Sequence, residues 1–289
     1  VGMTWQATPA LTIFGGFSQG NRAPSPIELG CSDPAQACVL PNALQSDPPL
    51  KQVVARTVEL GARGSVADAP GGALRWNAAV FDTLNRDDLL FVSNGLARGY
   101  FKNFGRTQRR GLELGISQQL GDFGWSLSYA WLRATYRSAA CIVAADNSSA
   151  QSSPNCPGND EIEIRPGDRI PGLPAHTVKL GLDWQPSEVW QLGMQLRAQS
   201  GQYVRGNENN RHRPDGSDYF GAGRLGGFAV VDLTGRWRLS EHVELVGRIG
   251  NLFDRQYGSA GALGVNAFDA AGNLLAPADR QRAQFVGPG

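Results

Sequence analysis

The feature that most constrains this chain is a hydrophobic period of two, held over long segments and interrupted by connections that alternate between short and long. Leu112, Leu114 and Ile116 alternate with Glu113, Gly115 and Ser117. Val178, Leu180, Leu182 and Trp184 alternate with Thr177, Lys179, Gly181 and Asp183. The same pattern runs through Trp125–Trp131, Trp190–Leu196 and Val231–Trp237. Side chains of a strand point to opposite faces in turn, so this period predicts strands with one apolar and one polar face. No segment holds the i, i+3, i+4, i+7 spacing of an amphipathic helix for long. A soluble sandwich gives the same alternation with its apolar face inward. Strand length separates the two: many of these runs reach about ten residues, enough to cross a bilayer at a tilt, whereas soluble strands average nearer five or six.

The connections carry the second half of the argument. A partial strand at Gly2–Gln6 turns at Ala7–Ala10, and the strand Leu11–Ser18 opens into a long loop from Gln19 to Gln52. Val53–Ser65 ends in a modest turn at Ala67–Gly72, and the next strand, from Ala73, leads to a medium crossing at Asp87–Arg98. Gly121-Asp122, Gln185-Pro186-Ser187 and Ser240-Glu241 are tight; the loops after Tyr136, Val204 and Asn251 are long. Short turns on one side and long loops on the other are the signature of outer-membrane barrels. Trp76, Trp125, Trp184, Trp190 and Trp237 sit at strand ends beside the short turns, where an aromatic girdle meets the membrane–water boundary.

Composition is compatible with this and excludes other classes. Net charge is +1, which gives no electrostatic case for nucleic acid. Mean hydropathy is −0.28, a value a transmembrane barrel shares with soluble proteins because only alternate residues face lipid. No run of apolar residues is long enough for a transmembrane helix, and Val1 does not begin a signal peptide. Of the three connectivities open to four cysteines, closeness in sequence favours Cys31–Cys38 and Cys141–Cys156, which places their loops in an oxidising compartment. Both pairs fall in long loops. There is no Cys-x-x-Cys pair with nearby His, so zinc is not expected, and no cofactor is implied.

Several motifs compete with the barrel reading. Gly16-Phe17-Ser18-Gln19-Gly20 matches the G-x-S-x-G elbow of serine hydrolases, which needs a helix directly after the serine. Pro24 and Pro26 oppose a regular helix there, and His176, His212 and His242 offer no distinctive partner. Gly221-Ala222-Gly223-Arg224-Leu225-Gly226 matches G-x-G-x-x-G, but a polar loop precedes it and a strand follows. Asn147-Ser148-Ser149 is a glycosylation acceptor by pattern only. Asp160, Glu161 and Glu163, with Asp215 and Asp218, lie in long loops, where a solvated face is the default and calcium the alternative. The run Arg205–Arg213 is polar and cationic, and arginine forks suit an anionic ligand.

Four segments carry a family resemblance. Ser18-Gln19-Gly20-Asn21-Arg22-Ala23-Pro24-Ser25 resembles the S-R-G-F-R-A-P-S run of TonB-dependent outer-membrane receptors, with Gln19 and Asn21 as departures. Thr57–Gly61 is similar to the E-x-G strand that follows that loop, and Gly167–Pro174 resembles the approach to a late strand. Asn251-Leu252-Phe253-Asp254-Arg255-Gln256-Tyr257 looks like the family's N-L-F-D-x-x-Y signature. The four occur in the family's order.

The resemblance implies an all-β, antiparallel transmembrane barrel fragment, about nine to ten strands of an expected ~22, from the C-terminal part of the barrel. Residues 1–289 are expected to form one domain, truncated at both ends, with the plug lying N-terminal to it. The implied role is an outer-membrane receptor of a Gram-negative bacterium, not an enzyme, that takes up an iron–siderophore or similar chelate with energy from TonB. Its implied partners are outer-membrane lipid, the chelate cargo, and the TonB complex through the plug region. Candidate ligand contacts in the outer loops are Arg22, Arg205, Asn207, Arg211, Arg213 and Tyr219. A passive porin-type barrel is the alternative, and a secreted serine hydrolase the remote one.

Overall fold

The computed structural model describes residues 1–30, 50–95, 98–150, 152–269, 271–276 and 279–288. Its principal element is a 10-stranded antiparallel sheet. In sheet order the strands are β1 (Gly2–Thr8), β2 (Leu11–Arg22), β3 (Val53–Val66), β4 (Leu74–Arg86), β7 (Arg106–Leu120), β8 (Phe123–Tyr136), β11 (His176–Trp184), β12 (Trp190–Gln199), β15 (Phe228–Arg238) and β16 (Glu244–Ile249). Each pairs with its neighbour in chain order, as an up-and-down meander requires, and the sheet is not closed on itself. The intervening numbers belong to hairpins inside the connections, β5 (Leu89–Gly95) with β6 (Arg98–Asn103), β9 (Ala140–Val143) with β10 (Glu161–Ile164), and β13 (Gln202–Tyr203) with β14 (Arg224–Leu225); a last hairpin, β17 (Gly258–Asn266) with β18 (Gln281–Pro288), follows β16.

Register fixes the faces. Leu60 lies opposite Val80, Val80 opposite Leu112, Leu112 opposite Trp131, and Leu180 opposite both Leu127 and Leu196. One face is therefore continuously apolar, yet Val58, Leu60, Val80, Leu114 and Leu192 are exposed on it. The other face carries Glu59, Arg63, Arg75, Asn77, Glu113 and Lys179. Among the described residues neither face holds a packed core. Trp190 and Trp237 stack on the apolar face at 4.8 Å, directly opposite each other beside the short turns. Gly61 has a specific reason: Phe14 of β2 lies flat across it, and a Cβ there would also meet the Ala78 carbonyl at 2.8 Å.

Two features depart from the sequence reading. Strand β2 does not stop at Ser18 but pairs with β3 through Arg22, opposite Val53; Gly20 and Asn21 are weak strand formers, and the continuing ladder outweighs that preference. A short helix, α1 (Pro26–Gly30), forms where Pro24 and Pro26 oppose a regular one. Pro26 occupies the first helical position, where its missing N–H is not needed. Ser25 and Glu28 form a reciprocal capping box: the Ser25 N–H donates to Glu28 Oε2 at 2.7 Å and the Glu28 N–H to Ser25 Oγ at 3.4 Å.

The apolar core of the described residues sits in the long connections. Val92, Phe104, Tyr136, Ile142, Ala144, Ile162 and Ile164 pack together where the β5–β6 and β9–β10 hairpins meet the end of β8. The Cys141–Cys156 disulfide, with Cα atoms 5.6 Å apart, staples the latter hairpin. The pairing of Cys31 with Cys38 lies outside the described residues.

Candidate functional site in the long loops

The loop side of the sheet is held together by a buried polar node. It joins the connection between β8 and β11 to that between β12 and β15. Asn147 has no exposed surface, and Asn207, Asn209 and His212 are buried. The Asn147 amide donates to the Gly206 carbonyl at 2.8 Å, while its Oδ1 accepts from the Ser149 N–H and hydroxyl at 3.0 and 2.7 Å. Asn207 donates to the Gly223 carbonyl at 3.0 Å and accepts from the His212 N–H at 3.0 Å. Asn210 closes the other flank, accepting from the Arg169 N–H at 2.6 Å and donating to the Arg169 carbonyl at 3.0 Å. Three asparagines within four residues suit this task, since each amide both donates and accepts.

His212 has a defined tautomer. The Ser148 N–H can only donate, so Nδ1 accepts from it at 3.1 Å; Nε2 therefore carries the proton and donates to the Gly221 carbonyl at 3.1 Å. Burial pushes the imidazole pKa down, and the Ser148 bond requires an unprotonated Nδ1, while the Gly221 bond survives protonation and opposes the shift. Gly223 has φ +65°, and a Cβ there would meet Asn207 Nδ2 at 2.8 Å and His212 Cδ2 at 2.9 Å. The G-x-G-x-x-G match thus marks a packing contact. Asn147 of the glycosylation pattern is sealed inside the node. Glu208, 6% exposed, is pushed up by burial; its Oε1 accepts the Gly206 N–H at 3.0 Å.

Of the residues singled out for ligand contact, Arg205, Asn207, Arg211, Arg213 and Tyr219 share one connection, while Arg22 stands apart at the end of β2. Arg22 grips Glu28 with two bonds at 2.7 and 3.0 Å, and that hydrogen bonding holds the Glu28 carboxyl down. Arg211 donates to the Glu163 carbonyl at 2.9 Å and pairs with Asp168 at 3.5 Å. The Arg205 backbone exchanges bonds with Gly261 and Leu263, tying β17 to this connection. Tyr219 lies under the Arg282 guanidinium at 5.0 Å. Arg213 donates to the His212 carbonyl at 2.8 Å. Asn207 is wholly internal and acts on the arginines by placing the backbone between them. The role of Asn147, Asn209 and His212 was not visible in sequence; the run Asn207-Glu208-Asn209-Asn210 beside a histidine was its only trace.

The acidic loop residues are committed to other partners. Glu163 accepts from Arg165 at 2.6 and 2.9 Å, Ser153 at 2.6 Å and Asn155 at 2.8 Å, and the arginine bonds lead in holding its pKa at about 2. Asp215 accepts the N–H groups of Ser217, Asp218 and Tyr219, each at 2.9 Å, and titrates at about 2 for that reason. Among the described residues, Cys141, Cys156 and Glu161 come within reach of a common metal, but the two sulfurs are bonded to each other.

Ser18 lies inside β2 opposite Thr57, in ladder geometry and without a nucleophile elbow. His176 shares a hydrogen bond with Tyr129 at 2.9 Å and His212 is spent in the node, so neither forms a triad with Ser18.

Residues 1–252 match the family described as TonB dependent receptor-like, beta-barrel. The fold is similar to that of the ferric-catecholate import receptor Fiu from E. coli K12, with TM-score 0.57 and 17% identity over 91% of this chain and 31% of that one. It is similar to the ferric yersiniabactin uptake receptor FyuA from Yersinia pestis, with TM-score 0.60 and 17% identity over 99% and 35%. The siderophore receptor PiuA from Acinetobacter baumannii gives TM-score 0.59 and 16% identity over 99% and 34%. The chain spans about a third of the length of these structures.

Proposed function

Because the chain belongs to the TonB-dependent receptor β-barrel family, a class of outer-membrane transport receptors and not of enzymes, we propose that it forms barrel wall and outer loops of a receptor for a ferric siderophore or a similar anionic metal chelate. The apolar face of the sheet meets lipid, the polar face meets the lumen, and the short turns lie on the periplasmic side. The single observation that supports chelate binding most is the arginine-bearing connection between β12 and β15, held rigid by the Asn147–His212 node. Arg205, Arg211 and Arg213 are presented from it on the outer side. A rigid frame limits the ordering entropy lost when a ligand is gripped, and an arginine fork matches a carboxylate or catecholate oxygen pair. Residues 1–289 act in this reading as one barrel domain. Energy comes from TonB through a plug that the family places N-terminal to the barrel.

The cargo class is tested by growth. Cells relying on the full-length receptor under iron limitation are supplied with a panel of ferric catecholates, hydroxamates and mixed chelates. Growth restored by a defined chelate, and weakened in Arg211→Ala or Arg213→Ala cells with equal receptor levels, is expected. Growth restored by every small solute below a size limit indicates the passive porin instead.

A further inference from the structure

The apolar face does not end evenly. On β3 it runs from Val66 to Val58, about 27 Å along the strand and roughly 20 Å in height at a 45° tilt, close to the ~25 Å apolar band of such barrels. Arg56 follows on the same face. On β7 the face runs through Ile116, Leu114 and Leu112 and then reaches Arg110; on β8 it runs through Leu127, Tyr129 and Trp131 and then reaches Arg133. Arg110 and Arg133 lie directly opposite each other. Four residues further along, Arg86 of β4 lies directly opposite Arg106 of β7. With this face as the lipid-facing wall of the proposed function, these side chains lie just above the hydrocarbon level, on the side of the long loops.

Like charges directly opposed in a ladder are destabilising, and the structure holds too little negative charge on this face to offset them. Among the described residues Asp82, on the same face opposite Arg110, is the one carboxylate set among them. It already accepts Arg110 Nε at 2.7 Å and both Gln108 bonds at 2.6 and 2.9 Å. Arg56 donates to Gln19, a neutral side chain, at 2.9 Å. Among the described residues Arg86, Arg106 and Arg133 have no carboxylate partner, and all three are exposed.

We propose that this outward arginine row is a binding surface for net-anionic phosphate headgroups of outer-leaflet lipid, those whose phosphate charge no headgroup cation offsets. The level is that of a headgroup, the sign is opposite, and a guanidinium fork can take two phosphate oxygens at once. A phosphate between Arg110 and Arg133 turns a repulsive cross-strand pair into a bridged one. The proposal rests on the reading of this face as lipid-facing wall and is independent of the cargo.

The test uses the full-length receptor in nanodiscs of phosphatidylcholine, with or without phosphatidic acid, and counts retained phosphatidic acid by native mass spectrometry. Wild type is expected to enrich phosphatidic acid over phosphatidylcholine, with Arg133→Gln and Arg106→Gln each lowering the enrichment about fivefold, the effect of one arginine near an anionic membrane surface. In pure phosphatidylcholine both variants are expected to unfold at or above the wild-type temperature, since they lose repulsion and no partner; chelate uptake stays at the wild-type level. Absence of enrichment, an equal loss in the polar-face control Arg75→Gln, or displacement of the lipid by millimolar inorganic phosphate overturns the proposal.

Discussion

Replacing Asn147 by alanine should loosen the outer loops without touching the barrel wall. The side chain donates to the Gly206 carbonyl at 2.8 Å and, at longer range, to Asn209 and Asn207 Oδ1 at 3.3 and 3.4 Å, and it accepts two bonds from Ser149. Its removal strands the half-buried Gly206 carbonyl and Ser149 N–H. Each unsatisfied buried group costs about 1–3 kcal/mol, and partial relaxation of the Ser149 hydroxyl brings the sum to about 2–4 kcal/mol. That corresponds to a roughly 30- to 900-fold shift in the local opening equilibrium, because local openings are governed by their own free energy and not by that of the whole fold. Hydrogen–deuterium exchange of the full-length receptor is the assay. Peptides covering residues 144–149 and 205–213 should lose protection by that factor, while peptides from β7 and β8 stay unchanged. Unchanged protection in the loop peptides, with the variant present at wild-type level, would refute the node as the loops' organising contact.

Other predictions follow from the same geometry. His212 titrates below its usual 6.5 through burial, so the stability it lends is full above that value and is lost as pH falls through the depressed one. Exchange protection around Ser148 and Gly221 should therefore decline on acidification below pH ~6.5, and a His212→Gln variant should flatten the profile; Arg213 and Asp215 are the charged groups that bias it. Replacing Cys141 and Cys156 by serine opens a loop of sequence separation 15 and should cost the β9–β10 hairpin about 3 kcal/mol, read as faster proteolysis between them. Gly223→Ala meets both Asn207 and His212 and forces a positive φ on alanine. It should mimic Asn147→Ala in the exchange experiment, and wild-type protection would count against the packing role of that glycine.

The wall was legible because a strand's faces are written in alternate residues: Leu112, Leu114 and Ile116 need no knowledge of their neighbours to be placed on one face. The short turns were legible for a similar reason, since Gly121-Asp122 and Ser240-Glu241 interrupt that alternation locally. The extent of β2 was not, because Gly20, Asn21 and Arg22 continue a ladder whose other half lies beyond a long loop. Helix α1 is written in Ser25 and Glu28, whose spacing is a capping box, but Pro24 and Pro26 point the other way. The node was hidden for a different reason. Asn147 and Gly206 are 59 residues apart, and nothing in either segment specifies the other. The loop hairpins are likewise fixed by the cluster of Val92, Tyr136, Ile162 and Ile164, which draws on segments distant in sequence.

The measurement closest to the central claim is uptake of a radiolabelled ferric chelate by cells expressing the full-length receptor, with TonB present and with TonB deleted. The account predicts saturable accumulation that disappears without TonB, while surface binding of the chelate persists. Influx that is unsaturable and equal in both strains would contradict it and assign the barrel to passive diffusion.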